Sequence, residues 1–123
     1  MDVFDSSVWV ALFMDSDVHH AEALAALAEQ QGSIYVPYIA MQETATVLTY
    51  KCSKQQADRF INFLLNDPRI IISHNDGRQD AETFLRHHQK MSFADISITA
   101  FAQRMGLRLV TFDKQMLRVF RQG

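Results

Sequence analysis

The chain reads as an α/β protein, a short-stranded parallel sheet wrapped by helices. Three features predict this. Short β-rich stretches at Val3-Phe4, Ile34-Tyr35-Val36, Ile70-Ile71-Ile72 and Arg108-Leu109-Val110-Thr111 alternate with segments of helical period, and strands joined through helices imply right-handed crossovers. Residues 70–72 form an unbroken β-branched run, which suits a strand covered on both faces. A length of 123 residues suits one domain with one core, so 1–123 is expected to fold as a unit.

Each element has its own local reason. Val3-Phe4 ends a first strand; Asp5-Ser6-Ser7 breaks it with helix-capping chemistry, and the apolar run from Val8 to Phe13 follows as a buried helix. Asp15-Ser16-Asp17 caps a second helix, with Ala21, Leu24, Ala25, Leu27 and Ala28 at helical spacing and Gly32 as its stop. Pro37 closes the second strand and suits the start of a helix running from about Tyr38 to Cys52. Ser53 caps the next, which reaches Asn66 on an apolar face that includes Ala57, Phe60, Ile61 and Leu64; Asp67-Pro68 stops it. Beyond the third strand a polar loop leads to a helix near 78–89. Ser92 opens a nearly all-apolar helix through Met105, closed by Gly106, and a last helix follows Asp113.

Composition excludes several classes. Hydrophobic residues at 48% and charged ones at 21% are ordinary for a globular fold, and no apolar run approaches the roughly 18 residues of a membrane span. The amino terminus lacks a signal-peptide layout, and the single Cys52 cannot form an internal disulfide, so a cytoplasmic location is expected. A net charge of −2 offers no blanket attraction for nucleic acid, which would need local patches or bound metal.

Four acids carry the chemical reading. Asp5 stands where a strand hands over to a helix, at the carboxyl edge of the sheet, where open α/β folds bind ligands. Glu43 falls on a helical wheel among Ile39, Val47 and Tyr50, away from Gln42, Thr46 and Thr49, so a carboxylate enters an apolar face near the same edge. Asp95 enters the interior on an apolar helix, although Ser92-x-x-Asp95 also resembles a capping box. Asp113 follows the last strand and doubles as a cap. Carboxylates about 4 Å apart repel by roughly 4 kcal/mol per pair at an effective dielectric near 20, so such a cluster calls for divalent cations or raised carboxyl pKa values. All-oxygen donors suit Mg²⁺ or Mn²⁺ and argue against zinc; the chemistry that follows is phosphodiester hydrolysis.

The ordered set Asp5-Ser6-Ser7, Glu43, Ser92-Phe93-Ala94-Asp95 and Thr111-Phe112-Asp113 resembles the acidic motifs of PIN-domain ribonucleases, in particular VapC-type toxins of toxin–antitoxin pairs. The resemblance covers the whole chain. It implies a PIN-like three-layer α/β/α sandwich, Mg²⁺- or Mn²⁺-dependent endoribonuclease activity with one or two ions, and inhibition by a cognate antitoxin. Carried over by position, Asp5, Glu43, Asp95 and Asp113 would be catalytic, metal-site acids, with Ser6 and Thr111 as supporting hydroxyls. Family members often carry a further acid or amide shortly after the last Asp, and here Lys114, Gln115 and Met116 follow.

Among the remaining residues, Arg104, Arg108, Lys114, Arg118 and Arg121 crowd the last twenty and suit a phosphate track for RNA. The pairs His19-His20 and His87-His88 read as solvated helix faces and His74 as a loop residue, while Trp9 and the phenylalanines read as core. The apolar helices of 38–66 could supply a homodimer face. Two alternatives remain at this level: a phosphoryl-transfer or phosphoacceptor domain using Asp5, though the second Asp of a dehalogenase-like Asp-x-Asp is Ser7, and a catalytically silent binding module.

Overall fold

The computed structural model describes residues 1–123. Four strands, β1 (Asp2–Phe4), β2 (Ile34–Pro37), β3 (Ile70–Ser73) and β4 (Arg108–Val110), form one all-parallel sheet in the order β3-β2-β1-β4. Seven helices connect and close them: α1 (Ser6–Phe13), α2 (His20–Glu29), α3 (Tyr38–Lys51), α4 (Lys54–Asn66), α5 (Gly77–Arg86), α6 (Phe93–Met105) and α7 (Lys114–Gln122).

The chain steps outward from β1 to β2 to β3, then crosses back to β4 on the far side of β1. With right-handed crossovers this reversal puts α1–α4 on one face and α5 and α6 on the other. The packing agrees: α1 lies against α2, α3 and α4, and α6 against α5 and α7. The connections diverge between β1 and β4, and the carboxyl end of that pair is the ligand-binding switch point of an open α/β sheet.

Aromatic rings fill the core on the α1–α4 side. Trp9 is fully buried, with ring centroids 5.3 Å from Phe4, 5.7 Å from Phe60 and 6.0 Å from Phe63. Caps end the helices where local chemistry predicts. Ser53 Oγ accepts the Gln56 N–H at 3.1 Å, and Gly106 closes α6 in the left-handed region (φ 64°), which a Cβ would disfavour.

Three expectations need correction. β3 is not covered on both faces: it is an edge strand, and Ile71 is 39% exposed. An unbroken apolar run does not distinguish an edge from a centre. The second helix starts at His20 and ends at Glu29, before Gly32; Asp17 accepts the backbone N–H of His19 at 2.8 Å, and so shapes the turn just ahead of the helix. The fifth helix begins at Gly77, because Asp76 caps it through the Gln79 N–H, and it ends before His87 and His88.

Candidate active site

Asp5 is built in by the hand-over from β1 to α1. Its own N–H donates to the Val110 carbonyl of β4, and its side chain caps α1 by accepting the Val8 N–H at 3.3 Å. Ser7 Oγ donates to Oδ1 at 2.6 Å, and Thr111 Oγ1 donates to Oδ2 at 2.8 Å. Asp5 is only 2% exposed. Burial pushes its carboxyl above the ordinary range, and the hydrogen bonds from Ser7, Thr111 and Val8 pull back only part of that shift.

Asp113 is positioned by the equivalent hand-over from β4 to α7. It caps α7, accepting the N–H groups of Gln115 at 2.8 Å and Met116 at 3.1 Å. Thr111 joins the two acids, because its hydroxyl donates to Asp5 and accepts the Asp113 N–H at 2.9 Å. One side chain thus fixes the ends of β1 and β4 against each other, at the switch point.

Glu43 and Asp95 arrive from two further elements. α3 starts directly after β2, and its first turns pack against the start of α6; Ile39, Glu43, Val47, Phe93 and Ala94 line one hollow between them. Glu43 is half-buried. The fully buried stripe of α3 is Ala40, Thr44 and Leu48, while Tyr50 is 85% exposed, so the expected apolar face around Glu43 is really its margin. The placement lowers the desolvation cost of the carboxylate and leaves it open to a ligand. Asp95 stands in the first turn of α6, where Ser92 Oγ accepts its N–H at 3.0 Å. The capping half of the Ser-x-x-Asp reading is therefore real, and it coexists with the charge effect that follows.

The field at Asp95 ties the four acids together. Its carboxyl is pushed up to about 6, first by burial and then by the negative charge of Glu43, with smaller pushes from Asp5 and Asp113; a hydrogen bond with Ser92 opposes them. No three His, Cys, Asp or Glu side chains are gathered closely enough to ligate one ion outright. The two findings agree once range is considered: Coulomb coupling extends several ångströms beyond a coordinate bond of about 2.1 Å. The donors are carboxylates and hydroxyls with no thiolate or imidazole among them, and Ser6 Oγ, beside Asp5 in the chain, is buried without a partner. Such a set fits a hard divalent cation of the Mg²⁺ or Mn²⁺ kind.

The other expected residues divide. The Ser6 hydroxyl makes no hydrogen bond with Asp5; the hydroxyl that holds the carboxylate is that of Ser7, which also accepts the Phe112 N–H at 3.2 Å. Arg108 is not brought to the acids. It opens β4 at the amino edge of the sheet and pairs there with Asp2. Burial opposes the Asp2 charge, but hydrogen bonds from Arg108 and Gln30 outweigh it and hold this carboxyl below the usual range. Arg104, far along α6, lines a small recess with Asp80 and Ser97. Lys114 and Arg118 do share one exposed surface with Arg121 on α7, beginning directly after Asp113, and none of the three makes an ion pair. His19, expected on a solvated face, lies flat on Phe112 beside Asp113. A local pattern carries no signal for that contact.

A family model described as PIN domain matches residues 3–121. Among solved structures, the chain is similar to Mycobacterium tuberculosis VapC20, a "Sarcin-Ricin loop cleaving toxin", with a TM-score of 0.88 and 22% identity over 97% of this chain and 95% of that one. It is also similar to VapBC2 from Rickettsia felis, bound to a DNA fragment from the promoter, with a TM-score of 0.68 and 18% identity over 95% and 91% of the two chains. No curated protein matches the sequence.

Proposed function

The chain belongs to the PIN-domain family, and from that premise we propose that it is a divalent-metal-dependent endoribonuclease, the toxin of a toxin–antitoxin pair. The observation that carries this reading is the hydroxyl bridge at the switch point. Asp5 and Asp113, from opposite ends of the chain, are tied through Thr111, and Asp95 feels both of them together with Glu43. The similar structures, a "Sarcin-Ricin loop cleaving toxin" and VapBC2 bound to a promoter DNA fragment, support the substrate class and the partner.

Asp5, Glu43, Asp95 and Asp113 would hold Mg²⁺ or Mn²⁺, one or two ions, with Ser7 and Thr111 orienting Asp5. A cation bound there supplies Lewis-acid assistance for hydrolysis, in which water adds at phosphorus and the bond to the leaving oxygen breaks. Lys114 and Arg118, with Arg121, hold the RNA backbone by charge and without reading sequence. A cognate antitoxin would silence the site by covering the acidic edge, and a homodimer is the assembly we assign. No helix is long and apolar enough to cross a membrane.

Incubation of the purified protein with total RNA, with and without Mg²⁺, Mn²⁺ and EDTA, tests the reading. Cleavage should require the cation and vanish in Asp5→Asn and Asp95→Asn. Cleavage that survives EDTA, or both substitutions, would overturn it.

A further inference from the structure

We propose that the stacked rings of His19 and Phe112 form a seat for one unpaired nucleobase beside the acids. The inference rests on the ribonuclease reading and adds a substrate contact to it. Phe112 stands between Thr111 and Asp113, so the loop that carries the bridging hydroxyl and the acid also carries this ring. Its N–H donates to Ser7 Oγ, which pins the loop against α1. His19 lays its imidazole on that ring, with centroids 4.4 Å apart and planes at 15°. The other aromatic pairs of the molecule are tilted or edge-on, as in the core around Trp9.

A parallel stack offers an incoming ring a flat π face rather than an edge. The imidazole is already held in its pose. The His19 N–H donates to Asp17 Oδ1, and Nδ1 lies 3.3 Å from Glu22 Oε1. A carboxylate only accepts, so that bond places a ring proton on Nδ1 and fixes the edge of the imidazole toward Glu22. The His19 side chain is 42% exposed, so the stack is open to solvent and to a ligand. Nucleobases stack on such rings when they are unpaired, so the ligand is a single-stranded or looped RNA. Charge orients the strand. Glu22 repels phosphate at the Nδ1 edge of the imidazole, whereas Lys114, next to Asp113 in the chain, is exposed and attracts it.

A short RNA hairpin with 2-aminopurine at each loop position in turn tests the seat. His19→Ala should raise KM about 10-fold while kcat stays within about twofold. It should also abolish the fluorescence quench at one loop position, and His19→Phe should restore both. An abasic nucleotide there should impose the same loss on the parent and add nothing to His19→Ala. Equal KM and equal quench in the parent and His19→Ala would overturn the proposal. The quench is read in EDTA, without turnover, which separates the two readings. A His19-dependent quench on RNA that is never cleaved sinks the ribonuclease reading alone; cleavage with a His19-independent KM and quench sinks the seat alone.

Discussion

At the scale of single residues, two adjacent serines do opposite things. Ser7 donates to a buried carboxylate and accepts a backbone N–H, whereas Ser6 Oγ is buried and unpartnered. Ser7→Ala should therefore destabilise by about 1–3 kcal/mol, and Ser6→Ala should be neutral or slightly stabilising, as read by denaturant unfolding. The motif Asp-Ser-Ser shows a hydroxyl beside the acid but not which of two, because that depends on the rotation of the first helical turn. Asp95 gives the pH prediction. Its folded carboxyl titrates near 6, above the ordinary value of 3.8, so the folded state holds the proton more tightly than the unfolded one. The resulting penalty is absent below about pH 4, grows between pH 4 and 6, and is complete above pH 6. Metal-free Asp95→Asn should thus be about 1–2 kcal/mol more stable than the parent at pH 7.5, a figure reduced for solvent screening of a half-buried group. The gain should vanish at pH 4 in the same melts.

At the scale of elements, α7 combines two jobs. Met116 and Val119 face inward, while Lys114, Arg118 and Arg121 follow one another at helical spacing on the outer face. Reversing these three charges to Glu should flatten the slope of log K against log salt for single-stranded RNA by about 2, equally for unrelated sequences. A sequence-dependent loss in filter binding would argue against a backbone track. The start of α4, the end of α6 and the start of α7 were legible in the sequence because a cap is local: Ser53, Gly106 and Asp113 each needed only a neighbouring turn, whereas the bounds of α2 and α5 were not. The facing of α3 was not. Its wheel carries no clean stripe, and Thr44 goes to the core with an unpartnered hydroxyl while Glu43 stays at the rim. The stacking of His19 on Phe112 joins segments far apart in the chain, and no periodicity encodes it.

At the scale of the whole molecule, the parallel alternation of elements was readable, and it placed Asp5 and Asp113 at the same edge. Strand order was not readable, so neither the exposed position of β3 nor the switch point between β1 and β4 could be foreseen. Arg108 illustrates the difference: its place among basic residues near the end of the chain suggested a role with RNA, yet strand direction sends it to the opposite rim. The shared field of the acids predicts linkage between metal and protons. Mn²⁺ should raise the melting temperature of the parent more at pH 8 than at pH 5.5, since Asp95 must lose a proton to act as ligand, and it should do so little in Asp5→Asn.

A final consequence concerns which changes in length the chain can tolerate. β1 and β4 have three residues each, about 10 Å of extended backbone, clamped by Asp2 with Arg108 at one end and by Thr111 with Asp5 at the other. Side chains alternate across a strand, so one residue inserted between Asp2 and Asp5 would swing the carboxylate to the opposite layer. The interval from Asp2 to Asp5 works as a ruler whose every division is in use.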